Sequence, residues 1–322
     1  MTDTSAPSRG DESIDDVEGL TADSLSPVRQ ALRRFRRNRA SMLALTVLVV
    51  FVVFVVLAPI TARYGVNEPI FKAEAGKPNS FLSPRSIAWF GTDDIGRDLY
   101  SRIIYGVRVS LLIGLFSAIT AVLIGILIGA VAGWRGGWID DVLMRVTDVF
   151  LAFPFLVALL VIRQFLGEVS WIVAIIGKPD SVRFTVVLLS ILGWTIVARI
   201  VRGQVLALRE REFVEAAKAL GATGPRIVIR HVLPNAIGPI LVALTLGVVG
   251  AIITESTLGF FGYGPDNSLG KLVGNSKLGV QTGYWWLVVF PCLALVILAL
   301  CINYIGEGLR DATDPKVSGG RT

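Results

Sequence analysis

The sequence predicts an all-α, polytopic membrane protein with six transmembrane helices, and three observations carry that expectation. Of its 322 residues, 53% are hydrophobic and only 17% are charged, against about 25% charged in soluble domains. The missing charge is gathered into long apolar runs, each close to the length of a spanning helix. The basic residues sit beside those runs rather than across the whole chain.

The same composition excludes other classes. A lone histidine, His231, cannot build a multi-histidine metal centre. The two cysteines, Cys292 and Cys301, share one apolar run. Nine helical positions rise about 13 Å, too far for a disulfide, so they read as packed thiols.

Taken in order, residues 1–40 form a cytoplasmic region in two parts. Residues 1–25 hold seven acids against the single base Arg9, with few large apolar side chains, the composition of a disordered tail. Residues 26–40 hold six arginines (Arg29, Arg33, Arg34, Arg36, Arg37, Arg39) and no acid. A basic cluster abutting a span places the N-terminus inside and can touch anionic lipid. The net charge of +6 is therefore a topology signal, and no nucleic-acid partner is expected. A cleaved leader is not expected either, because a long hydrophilic stretch precedes the first span.

That span occupies 41–60, with its apolar run of nineteen residues, 42–60, rising about 28 Å. Residues 61–110 follow as an extracytoplasmic segment. A core at 111–305 holds five more spans, at 111–133, 146–162, 184–200, 236–254 and 285–305, and 306–322 is a cytoplasmic tail. Alternation puts 134–145 and 201–235 inside, and 163–183 and 255–284 outside. The charges agree with it. Residues 201–235 carry Arg202, Arg209, Arg211, Lys218, Arg226 and Arg230, whereas 255–284 carries only Lys271 and Lys277 as bases. The apolar stretch 171–176 is too short to span and reads as a short helix at the outer surface.

Within these spans, Ala121, Gly125, Gly129 and Gly133 recur every four residues and form a small-residue stripe for close helix packing. Lining of a substrate path is the other reading of the stripe. Arg145 and Asp148 stand at i,i+3 spacing and read as a local ion pair. Pro154 is expected to kink its span. Thr92 to Asp98 reads as a capped, charged helix start at the outer surface. Its acids, Asp93, Asp94 and Asp98, lack calcium-loop spacing.

The inner loop 201–235 is too long for a turn. Good helix formers from Glu212 to Leu220 end at Gly221, a residue suited to a left-handed cap. Thr223 or Gly224 can cap a second helix with Pro225 in its first turn, running to Leu233, where Pro234 stops it. The small pair Ala216 and Ala217 offers a smooth face, and Arg226 and Arg230 offer charge.

Here the residues carry a resemblance. Glu215-Ala216-Ala217, with Gly221 four positions on and Leu233-Pro234 beyond it, resemble the EAA loop of ABC importer permeases. Where that pattern has an isoleucine two places before the leucine, this chain has His231, as in the peptide and nickel branch, followed by Val232-Leu233-Pro234-Asn235. Gly91-Thr92-Asp93-Asp94-Ile95-Gly96-Arg97-Asp98, Met144-Arg145, Glu255-Ser256 with Phe261-Gly262, and Gly308-Leu309-Arg310-Asp311-Ala312 are similar to the C-type permease of oligopeptide and dipeptide importers.

The resemblance implies a type I importer permease in a bacterial inner membrane, coupled to its energy source through Glu212, Glu215, Ala216, Ala217, Gly221, Arg226, Leu233 and Pro234. It further implies a second homologous permease in a heterodimer, two ATP-binding cassette ATPase domains that bind ATP and Mg, an extracytoplasmic solute-binding protein, and peptide as the solute, with nickel or another small solute as the alternative. The substrate-binding residues stay unknown. No cofactor is expected in the chain itself and no catalysis. The nearest candidate for a nucleotide loop, Gly264 to Lys271, has five residues between its glycines and Leu272 where Ser or Thr should follow the lysine. An ion-coupled secondary transporter would need buried charges at mid-span, and the span centres are almost uncharged.

Overall fold

A computed structural model describes residues 27–70 and 80–313. The acidic stretch 1–25 and the end of the tail, 314–322, lie outside the described residues, so the disorder expected of 1–25 does too. Helices account for about four-fifths of the described chain. Five are long and apolar enough to cross a membrane, and a sixth crossing exists only as a bent pair.

The first helix, α1 (Pro27–Arg37), carries five of the six clustered arginines. Asn38 then caps α2 (Arg39–Val56), its side chain accepting from the amides of Ala40 and Ser41. That arrangement satisfies donors that no helix can satisfy internally at its N-terminus. A single turn, α3 (Ala58–Thr61), follows. The next helix, α4 (Leu99–Arg135), has 37 residues and runs about 56 Å, well beyond the roughly 30 Å of a bilayer core. Its first turns therefore stand clear of the apolar layer, within the folded 80–98 segment.

The third expected span is not one helix. Pro154 disfavours helical geometry at the residue before it, and Phe153 is extended, at φ −81°, ψ 138°. The chain breaks into α5 (Gly137–Ala152) and α6 (Phe155–Glu168), bent by 94°. At 16 and 14 residues these rise about 24 and 21 Å, so neither half spans alone. The kink expected at Pro154 is a full break.

A short helix, α7 (Ser170–Ile176), occupies the stretch judged too short to span. Beyond it, α8 (Val182–Leu208) packs along α4. Between α8 and the next span lie α9 (Glu212–Ala219), α10 (Gly224–Ile227), a π-helical turn at Val228–Val232 and α11 (Leu233–Asn235). The remaining elements are α12 (Ile237–Phe260), α13 (Leu269–Thr282) and α14 (Trp286–Thr313).

The bundle has two ends. At the loop end, α8 packs against the α9–α11 segment, and the start of α2 packs on the end of α14, where Ser41 Oγ donates to the Tyr304 carbonyl at 2.9 Å. At the opposite end, α4 starts on Asp98, whose carboxylate accepts from the Ser101 amide at 2.9 Å. Residues 91–97 form a compact turn that leads into this capped helix start and is closed by a Thr92–Asp98 bridge. Asp93 Oδ2 accepts from Arg97 Nε at 2.6 Å and Arg102 Nη1 at 2.5 Å. Trp286 Nε1 donates to the Thr92 carbonyl at 3.2 Å, and Phe90 stacks on Phe290 at 4.2 Å.

The apolar core follows this layout. One cluster joins α4, α12, α13 and α14 around Ile252, Leu269 and Leu298. A second joins α4, α8 and the inner loop around Val201, Val205, Val214 and Val232. Cys292 and Cys301 are free thiols on α14, the second of them buried.

Candidate functional site

Three structural features lead toward a site: the seam between α4 and α8, the loop-end segment, and a cavity between them. The seam uses the small-residue stripe. A Cβ on Gly125 would meet Val197 Cβ at 2.6 Å, one on Gly129 would meet Val201 Cβ at 2.9 Å, and one on Gly133 would meet Val205 Cβ at 2.9 Å. The backbone of α4 thus lies directly on the α8 side chains. Ala121, at the other end of the stripe, packs with Trp194 and Ala198 of α8 and also lines the cavity.

The loop-end segment starts at α9. Its C-terminus closes with the Gly221 amide donating to the Lys218 carbonyl at 2.9 Å and the Ala222 amide to the Ala217 carbonyl at 3.0 Å. These are the two bonds of a Schellman motif. The motif requires Gly221 in the left-handed region, and its φ is +81°. A Cβ there would meet nothing within 4 Å, so backbone conformation alone selects glycine.

One face of α9 enters the bundle through Val214 and Ala217, both buried. The opposite face carries Glu212, Glu215 and Ala216 into the open. The expected smooth pair is therefore divided: Ala216 is exposed and Ala217 is packed inward, because consecutive helical residues point about 100° apart. Leu220 at the tip is 88% exposed. Lys218 Nζ sits 5.7 Å from the ring of Trp134, at the end of α4, and Arg209 Nη1 donates to the Gly133 carbonyl at 3.1 Å. The segment is thus seated on the α4–α8 pair.

The second helix of the loop is shorter than expected. One turn, α10, begins at Thr223 without a side-chain cap, and the chain then widens into the π turn. Pro234 does not stop the helix; it sits within α11. A proline lacks the N–H and crowds the carbonyl four residues earlier, and a wider turn relieves both. Arg226 and Pro234 are exposed and Leu233 is half-buried.

Between α4, α5, α6, α8 and α12 lies a cavity of about 490 Å³. Its lining is almost wholly apolar, with Ala121, Phe155, Ile196 and Leu246 among its walls and the hydroxyls of Ser117 and Thr195 among its few polar groups. Near it, the expected Arg145–Asp148 pair is absent. Asp148 pairs across the helices with Arg199, while Arg145 is exposed. Contact between α5 and α8 brings the Arg199 guanidinium within reach, which helical spacing within α5 could not reveal. Arg202 and Asp140 make a second such pair. Glu255, buried at the far end of α12, accepts from Ser110 Oγ of α4 at 2.8 Å. Its sequence signals were a carboxylate directly after an apolar run and the Glu255-Ser256 pair of the family resemblance.

Two family descriptions match the chain: binding-protein-dependent transport system inner membrane component, over residues 125–319, and N-terminal TM domain of oligopeptide transport permease C, over residues 26–84. The oligopeptide transport system permease protein OppC of Bacillus subtilis (strain 168) is 37% identical over 305 residues, covering 94% of this chain and 94% of that protein. The dipeptide transport system permease protein DppC of Alkalihalophilus pseudofirmus is 38% identical over 248 residues, 76% of this chain and 77% of that protein. In fold, the chain is similar to the MetNI methionine ABC transporter in an inward-facing conformation, with a TM-score of 0.53 at 22% identity, covering 66% of this chain and 96% of the matched one. The inner-membrane-component match covers most of the chain, and a 37% identical relative aligns along nearly all of it. The chain therefore belongs to the family of binding-protein-dependent transport system inner membrane components.

Proposed function

We propose that this multi-pass inner-membrane protein is the permease subunit of an ATP-driven peptide importer. It forms half of the translocation path and takes its power stroke through 201–235. The observation that carries the reading is α9. A short helix held to the bundle by Val214 and Ala217 presents Glu212, Glu215 and Ala216 outward, beside the exposed Arg226 and Pro234, with Gly221 fixing the turn between. A lever of that form suits a cleft on an ATPase subunit, and the relatives named as oligopeptide and dipeptide permeases support peptide as the solute.

In this reading both termini and the loop end face the cytoplasm, which the basic residues of 26–40 and 201–235 favour. Two ATPase domains bind ATP and Mg beneath the loop, a second homologous permease completes the path, and a solute-binding protein delivers peptide to the opposite end. The chain itself is a non-catalytic transport component. The test is purification in mild detergent followed by reconstitution. Stoichiometric recovery of a second permease and ATPases, with ATP-dependent peptide uptake, supports the reading. Uptake by the single chain driven by a proton gradient overturns it.

A further inference from the structure

A second hollow lies on another face of α4. Ala118, Ala121 and Val122 of that helix turn toward the larger cavity, whereas Leu112, Phe116 and Thr120 line an apolar groove of about 420 Å³. Its other walls come from the end of α7 and the start of α8, where Val186 and Val187 extend the apolar surface. Arg183 is the one charged residue in the lining, and no acid joins it. The groove sits at the end of the bundle opposite the inner loop, since α8 begins at Val182 and reaches the loop only at Leu208.

Arg183 is exposed and makes no ion pair, side-chain hydrogen bond or ring contact with another described residue. Asp180, three positions before it, is taken by Arg163 at 2.8 Å. A cation in the first turn of a helix also stands against the helix dipole, so the charge does nothing for α8 itself. Arg108 is likewise exposed and without a partner among the described residues. It does not line the groove; it stands one turn outward of Leu112 on the same face of α4. Both arginines fall just outside the apolar runs that begin at 111 and 184, which is the depth of lipid headgroups rather than of the hydrocarbon.

We propose that this groove seats one anionic phospholipid of the surrounding bilayer, its phosphate on Arg183, with Arg108 as a second cation at the rim and one acyl chain laid along Phe116 and Val187. The walls decide between a lipid chain and another helix. Helices approach one another in a membrane over small residues, as α4 approaches α8 through Gly125 and Gly129. The groove contains no glycine, alanine or serine; its walls are branched and aromatic. A flexible chain fills such a hollow without close backbone approach. The phosphate offers the paired acceptor oxygens that a guanidinium fork matches. A zwitterionic headgroup would bring its own ammonium toward two unneutralised arginines, so a net negative lipid is preferred.

The test uses the complex purified in detergent, with dioleoyl phosphatidylglycerol and dioleoyl phosphatidylcholine as probes. Native mass spectrometry is expected to show one phosphatidylglycerol retained at concentrations where phosphatidylcholine is lost. Arg183→Gln should weaken that binding about tenfold, and Arg108→Gln should weaken it less. Both should keep the wild-type thermal midpoint in lipid-free detergent, because neither side chain holds the fold. Thr120→Trp, which fills the groove and leaves both arginines, should also weaken binding. Glycerol 3-phosphate should fail to displace the lipid; displacement would mean a site for free anions and no seat for a chain. A benzophenone amino acid at position 116, activated in native membranes, should cross-link to lipid. Cross-linking to a second protein chain instead would show that another span covers the groove, and unchanged phosphatidylglycerol binding in Arg183→Gln would show that the arginine only reaches the headgroup layer. Either result overturns the proposal.

Discussion

Arg202 grips Asp140 with two parallel hydrogen bonds, Nε to Oδ1 at 2.5 Å and Nη2 to Oδ2 at 2.6 Å, tying α8 to α5 near the loop end. The fork geometry of a guanidinium matches a carboxylate in this way and an ammonium cannot. A double-mutant cycle of Asp140→Ala and Arg202→Ala in thermal unfolding of the detergent-solubilised complex should give a coupling of about 1–2 kcal/mol. Arg202→Lys should behave more like the alanine variant than like the wild type. Strict additivity of the two alanine variants would remove the pair from the account of how α5 is held.

Gly221 should tolerate only residues that accept the left-handed region. Its Cβ position is empty, so the cost of Gly221→Val is conformational, about 1–2 kcal/mol, rather than a clash. In the assembled transporter, binding-protein-stimulated ATPase activity is expected to fall in the order Gly, Asn, Ala, Val. Membrane insertion should be unchanged throughout. Full coupling in the valine variant would dismiss the turn as a determinant of the lever.

The α4–α8 seam separates glycines that touch from one that does not. Gly125→Ala would press a methyl onto Val197 and should destabilise by about 1–3 kcal/mol. Gly203→Ala, on α8 with nothing within 4 Å, should be neutral or stabilise by about 0.5–1 kcal/mol through helix propensity. Thermal midpoints of the two variants compared side by side decide the matter, and equal shifts would contradict the close packing.

At the opposite end, Asp93 and Arg102 are both almost fully buried. Asp93→Ala leaves Arg102 without its charge partner and should cost about 3–5 kcal/mol. Adding Arg102→Met to that variant should recover part of the loss, because an apolar side chain leaves no stranded charge. A double variant less stable than Asp93→Ala would show that Arg102 is satisfied by other groups.

The turn at Gly221 and the packing stripe on α4 are legible in the sequence because their signals are local. Gly221 follows a run of helix formers, and a left-handed cap depends on little beyond that. The stripe at Gly125, Gly129 and Gly133 is a matter of helical period. Pairings between helices were not legible. Asp148 has Arg145 at an ideal local spacing, yet Arg199, fifty-one positions away, takes it, because the competition is settled by which helices lie side by side. Ala216 and Ala217 looked equivalent until the bundle consumed one of them.

The sequence by itself determined that this chain is a helical membrane protein, where its five unbroken apolar helices lie, and that a helix ends at Gly221 between two of them. Those follow from the hydrophobic cost of exposing apolar runs to water and from the backbone preferences of glycine and proline. Only the tertiary structure decided that Pro154 turns one expected span through 94°, that Asp93 and Glu255 are enclosed, and that Asp148 pairs with Arg199. Each depends on the packing of elements distant along the chain, where side-chain volume and charge are matched in space, and no short window of sequence holds that information.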